Sequence, residues 1–259
     1  MPINIPVPAL SLGYLDGLTL SNNATTPDEI VNVAQGQCRD STGLYTLSLV
    51  NNATVSNVVS GINGLDTGTV AVSTLYSIYI IGDSQGRNAT GLILSTSHTG
   101  SITFPSGYDI YRRLGSVRTD ASSDNLLFKQ TGTSRNRTMW IDSGTLGVTT
   151  TGFAIPSSAT AASQALASIG VLTTLIPQST LEVMIYSSLV ANAAGDALML
   201  APYGFTGAVT MFRTNASGTV EGHVLRVPTG LNTVQEVYYA TSSATATVAF
   251  TFCGYVDSL

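Results

Sequence analysis

From about Ile30 onward the chain alternates short hydrophobic runs with clusters of Gly, Asn, Asp and Ser. That rhythm predicts strands joined by tight turns. Residues 44–50 (LYTLSLV) place Leu47 and Leu49 on the same face as Tyr45, the period-2 pattern of a half-buried strand. Residues 55–59 follow, and then a turn-rich stretch over 61–68. Residues 69–81 (TVAVSTLYSIYII) open with alternation at Val70 and Val72 and end apolar on both faces, as a strand in the middle of a sandwich does. The segments 91–96, 111–119, 125–130 and 138–142 extend the series. Turn signals every 8–12 residues or so between short strands predict an all-β sandwich or barrel.

Near residues 144–156 Arg, Asp and Gly give way to an Ala-, Thr- and Ser-rich tract, which we read as a boundary. A helix is conceivable at 159–167, but those residues show no apolar stripe and read equally well as an extended connector. Seven further strand-like segments lie at 170–176, 181–189, 197–201, 208–212, 223–227, 234–240 and 245–256. They suffice for a second antiparallel sandwich of jelly-roll type. Before all of this, Pro2, Pro6 and Pro8 forbid helix and favour extended chain. The expectation is therefore an all-β protein of two antiparallel β-sandwich or jelly-roll-like domains, 30–145 and 146–259, preceded by an extended N-terminal arm, 1–29.

Composition changes this picture in one respect. Charged residues make up 10% of the 259 and hydrophobic ones 44%, against about 25% charged in typical soluble domains. A surface of hydroxyls and amides with few charges suits a protein that buries much of itself against copies or partners. The net charge of −5 argues against nucleic-acid binding, which needs clustered cations. Arg112, Arg113, Arg118, Arg135 and Arg137 do gather, but Asp109, Asp120 and Asp124 lie among them, which predicts local pairing or a subunit contact. MPINIPVPAL lacks the basic start of a signal peptide. No run reaches the ~20 apolar residues of a membrane helix, so no membrane insertion is expected. Cys38 and Cys253 make neither a disulfide framework nor a metal motif; they read as small buried side chains, and a single bridge between them stays open.

Chemistry is offered at one place. Residues 78–87 (IYIIGDSQGR) run a buried strand into Gly82-Asp83-Ser84, which resembles the way GDSL-type esterases present a nucleophilic serine. Such a serine needs a base and a group to orient that base. His98 and His223 are the two histidines, and neither stands in the Asp-x-x-His context of that family. The triplet is read as a turn, with Gly supplying positive φ and Asp and Ser supplying local hydrogen bonds. Asp109, Asp120, Asp124 and Asp142 could be paired carboxylates for glycoside cleavage, but they fall where turns are expected. Tyr108, Tyr111, Trp140, Tyr203, Tyr238, Tyr239 and Tyr255 could stack on sugars, or simply favour strands. No residue is assigned as catalytic, cofactor-binding or metal-ligating; no cofactor is expected, and a ligand site is not assigned.

Four ordered segments carry a wider resemblance: 17–22 (GLTLSN), 34–41 (AQGQCRDS), 79–84 (YIIGDS) and 107–115 (GYDIYRRLG). In this order they resemble a group of tailed-bacteriophage and prophage virion proteins known mostly as tail-fibre or other structural proteins. The resemblance covers about the first half of the chain. It implies a non-enzymatic structural component of a virion, made in the bacterial host cytoplasm and carrying no catalytic residues. Within that class a homotrimeric tail-fibre or tail-adaptor protein leads. A capsid decoration protein and a receptor- or glycan-binding virion module, docking on a host surface glycan, remain as alternatives. The expected partners are the chain itself and other tail or capsid proteins.

Overall fold

The protein is described here from a computed structural model; the residues described are 11–132, 135–142, 153–154, 167–172, 175–203, 210–229, 235–243 and 246–259. The first part of the chain forms β1 (Leu15–Gly17), β2 (Leu20–Asn22), β3 (Ile30–Val33), β4 (Gly36–Arg39), β5 (Thr46–Leu49), β6 (Ala53–Ser56), β7 (Gly64–Leu65), β8 (Leu75–Gly82), β9 (Gly91–Ser95), β10 (Ile110–Arg118), β11 (Leu127–Thr131) and β12 (Asn136–Asp142). Then come β13 (Phe153–Ala154), β14 (Ala167–Val171), β15 (Thr180–Val190), β16 (Ala197–Pro202), β17 (Thr210–Arg213), β18 (Val220–Pro228), β19 (Glu236–Thr241) and β20 (Thr247–Ser258). No helix occurs among the described residues. The fold is all-β, of sandwich type, with antiparallel pairing throughout except where β7 runs parallel to β9. The helix considered at 159–167 lies almost wholly outside the described residues, as do positions 1–10 of the arm.

One nine-stranded sheet is shared by both halves. Its order is β18-β15-β20-β12-β11-β2-β3-β6, with β13 alongside β20. Smaller sheets, β10-β8-β9-β7 with β1-β4-β5 and β14-β19-β16-β17, complete two hydrophobic cores. The first core gathers Leu18, Leu20, Val31, Ile78, Ile80 and Leu92; the second gathers Val183, Ile185, Leu198, Leu200, Phe250 and Phe252. Phe128 on β11 packs against both. The 145/146 division made on composition thus falls between β12 and β13, while the sheet itself crosses it, because β12 pairs with β20 from Asn136↔Ser258 to Trp140↔Gly254.

The described part of the arm, residues 11–29, holds the short strands β1 and β2 with turns around them, and it lies on its own fold. Leu15, Leu18 and Leu20 are buried, and β2 pairs with β3 and β11. The apolar alternation of these three leucines holds the segment to the core. Within 69–81, only the second half is strand. Ser73 takes φ 50° and turns the chain, leaving Val72 exposed, while all eight residues of β8 are buried.

Candidate functional site

The turn after β8 is built from local hydrogen bonds. The Asp83 carboxylate accepts from the backbone N–H groups of Gln85 (2.8 Å) and Arg87 (3.0 Å), from the Arg87 guanidinium (Nε, 3.0 Å) and from Asn88 Nδ2 (3.2 Å). Arg87 foremost, with the two backbone donors, holds the Asp83 pKa down to about 2. Ser84 donates its backbone N–H to Asp109 Oδ1 (2.7 Å) and its hydroxyl to Asp109 Oδ2 (2.5 Å). The histidines have other contacts. His98 Nδ1 is 2.7 Å from Ser77 Oγ, and burial, with Arg113 nearby, lowers its pKa. His223 is exposed beside Glu221 (4.0 Å), its ring 4.7 Å from that of Phe212. Ser84 is therefore held by a carboxylate.

The four motif segments, scattered over about a hundred residues of sequence, meet in space. Leu18 N–H donates to Gln35 C=O (3.2 Å), Ser41 N–H to Tyr111 C=O (2.7 Å), and Asp109 N–H to Gly82 C=O (3.0 Å). Gly115, at φ 150°, comes so close to Leu20 that a Cβ there would stand 2.8 Å from Leu20 Cδ1. Asp40 caps its own turn, accepting from Thr42 Oγ1 (2.6 Å) and Tyr45 N–H (2.9 Å).

Of the five arginines expected to pair locally or at a subunit contact, Arg113, Arg135 and Arg137 reach across the molecule. Arg113 makes a bidentate pair with Asp257, Nη1 to Oδ2 at 2.8 Å and Nη2 to Oδ1 at 2.7 Å. Ser179 hydrogen-bonds both partners, Arg113 Nη1 also reaches Ser116 Oγ, and Ser116 leads on through Ser77 to His98. Arg137 is wholly buried and donates to the carbonyls of Leu18 (2.7 Å) and Gly17 (2.5 Å). That burial lowers its pKa to about 10. Arg135 Nε donates to Leu259 C=O. The neighbouring aspartates serve turns: Asp120 accepts from the N–H groups of Ser122 and Asp124. The Arg113–Asp257 contact joins β10 of one sheet to β20 of another, which sequence proximity does not show.

A groove of about 420 Å³ lies along the nine-stranded sheet, lined by Leu127, Trp140 and Val224, with Phe128 and Ile141, which pack into the cores, beneath it. Lys129 and Cys253 complete its lining. Trp140 and Lys129, the chain's one tryptophan and one lysine, are register partners. The residue facing Trp140 on β20 is Gly254, so that register partner offers the indole no side chain. Cys38 and Cys253 are both free thiols; burial pushes Cys38 up to about 12 and raises Cys253 as well.

The aromatic residues singled out in the sequence do not converge. Tyr239 and Tyr255 are buried, Tyr111 packs on Tyr79 and Phe104, and Tyr203 lies beside Tyr238 with ring centres 6.1 Å apart. Nothing in the sequence marked the groove, since its register runs from residue 129 through 140 to 254.

No protein-family model matches this chain, and no curated protein matches it. Among solved structures, one of infectious bursal disease virus, Gx strain, is similar over 93% of this chain and 68% of that chain, at 10% identity and a TM-score of 0.14. A likeness that loose carries no argument. Function has to be argued from the contacts above.

Proposed function

We propose that the protein is a non-enzymatic structural component of a tailed-phage virion, of the tail-fibre or tail-adaptor type, assembling as a homotrimer. The observation that carries this reading is the meeting of the four motif segments. Their contacts are ladder and turn hydrogen bonds, such as Ser41 to Tyr111 and Asp109 to Gly82, and the serine that could have been a nucleophile is one of the turn donors. A motif set spent on scaffold contacts fits a building block. The surface supports the same reading. Leu12, Leu44, Val50, Val58 and Val72 are each more than half exposed, while Arg113 and Arg137 are buried. Weakly charged apolar faces are cheap to desolvate, and closed symmetry satisfies each face once.

Two measurements test this. Light scattering of the purified protein is expected to give three times the chain mass. Quantitative mass spectrometry of purified virions is expected to count it at a small multiple of a tail ring. A count equal to that of the major capsid protein would transfer it to the head as a decoration protein. Absence from the particle would overturn the proposal.

A further inference from the structure

We infer that the groove beside Trp140 binds a free medium-chain carboxylate, an extended apolar chain carrying one anionic head. The inference is independent of the virion reading. A volume of about 420 Å³ falls in the roughly 300–1,000 Å³ range of small-ligand pockets. The lining residues span the strand order β11-β12-β20-β15-β18, about 19 Å along the sheet at ~4.8 Å per strand. Such a groove suits a long, thin occupant.

A backbone irregularity borders the groove. The register between β15 and β20 slips between Met184 and Ile185, so that Met184 faces Gly254 and Ile185 faces Phe252, and Cys253 is left over as the bulged residue. Bulges of this kind re-aim a side chain, and Cys253 lines the groove. Gly254 has φ 154°, and a Cβ there would collide with the Met139 carbonyl oxygen. The position across from Trp140 therefore carries no side chain, and Met184 Cε lies 2.8 Å from where its Cβ would stand.

One charged group lines the groove, and it lies at one end. Lys129 sits on β11 beside Trp140, whereas Val224, on β18, is at the far end. No ion pair involves Lys129 among the described residues. An anionic head at Lys129 with a tail running over Trp140 and Cys253 toward Val224 satisfies both ends. A sugar would need several hydrogen-bonding partners that this lining lacks, and a nucleic acid would need more than one cation.

Trp140, as the chain's one tryptophan, reports occupancy directly. Titration of the full chain with sodium decanoate is expected to change its emission saturably, with a dissociation constant at or below about a millimolar. Shortening the probe to hexanoate should weaken binding roughly fourfold for each methylene removed. Decanol should bind about threefold more weakly than decanoate, the size expected of an exposed charge contact. Lys129→Gln should erase that preference, and Lys129→Glu should reverse it, with thermal unfolding unchanged in both. No saturable change in Trp140 emission would overturn the site. Equal binding of decanoate and decanol by the unaltered chain would overturn the anionic assignment. A response to anionic phosphatidylglycerol vesicles without one to free decanoate would overturn the free carboxylate as occupant.

Discussion

Asp83 shows how a single turn residue can tie stability to pH. Its carboxylate collects five N–H donors from Gln85, Arg87 and Asn88, and the Arg87 side chain foremost, with the backbone donors of Gln85 and Arg87, brings the pKa from 3.8 to about 2. A carboxyl whose folded pKa is depressed stabilises the fold above its unfolded pKa and loses that contribution as pH falls through the folded value. Thermal unfolding of the unaltered chain and of Asp83→Asn should therefore differ by a constant amount above about pH 4. The two curves should draw together between about pH 4 and pH 2. A gap that persists unchanged at pH 2 would mean that the charge of Asp83 contributes nothing. Ser84, next in line, acts on the same loop through Asp109, a partner that a three-residue motif could not name.

Strand by strand, the tie between β1 and β2 is the most exposed to a single substitution. Leu18 sits at φ 52° between them, and both carbonyls of the Gly17-Leu18 corner are satisfied by buried Arg137. Arg137→Met keeps the apolar stem but removes both donors, at roughly 1–3 kcal/mol for each buried carbonyl left without one. Urea unfolding should show that loss as a lower midpoint with an unchanged slope; an unchanged midpoint would show that the clamp is idle. Strands of this kind were readable where packing is local. The run from Leu75 to Ile81 is apolar at nearly every position and is buried on both faces. The alternation at Val70 and Val72 misled, because Ser73 adopts a left-handed turn that hydrophobic spacing does not register. The leucines that bind residues 15–20 to the core are in plain view in the sequence.

The whole molecule is held across its two halves by Arg113 and Asp257, which are 144 residues apart. Asp257→Ala would strand a guanidinium that is about 10% exposed, a loss of roughly 3–5 kcal/mol. The double variant Arg113→Met with Asp257→Leu should recover most of it, since a well-packed apolar pair often replaces a buried ion pair at no cost. Failure of the double variant to exceed the single one in urea unfolding would sink this account. The pair was invisible in the sequence for the same reason as the groove. Both depend on where β20 enters the large sheet, and periodicity carries no information about pairing partners so far apart. That insertion also governs how the chain is born. Until residues 247–258 leave the ribosome, β12 and β15 each face the gap that β20 will fill. At about 5–20 residues per second, Arg113 waits on the order of ten seconds for its carboxylate. A nascent chain stalled in that interval presents two open sheet edges to its neighbours on the polysome, so efficient production of this protein is a race between translation and aggregation.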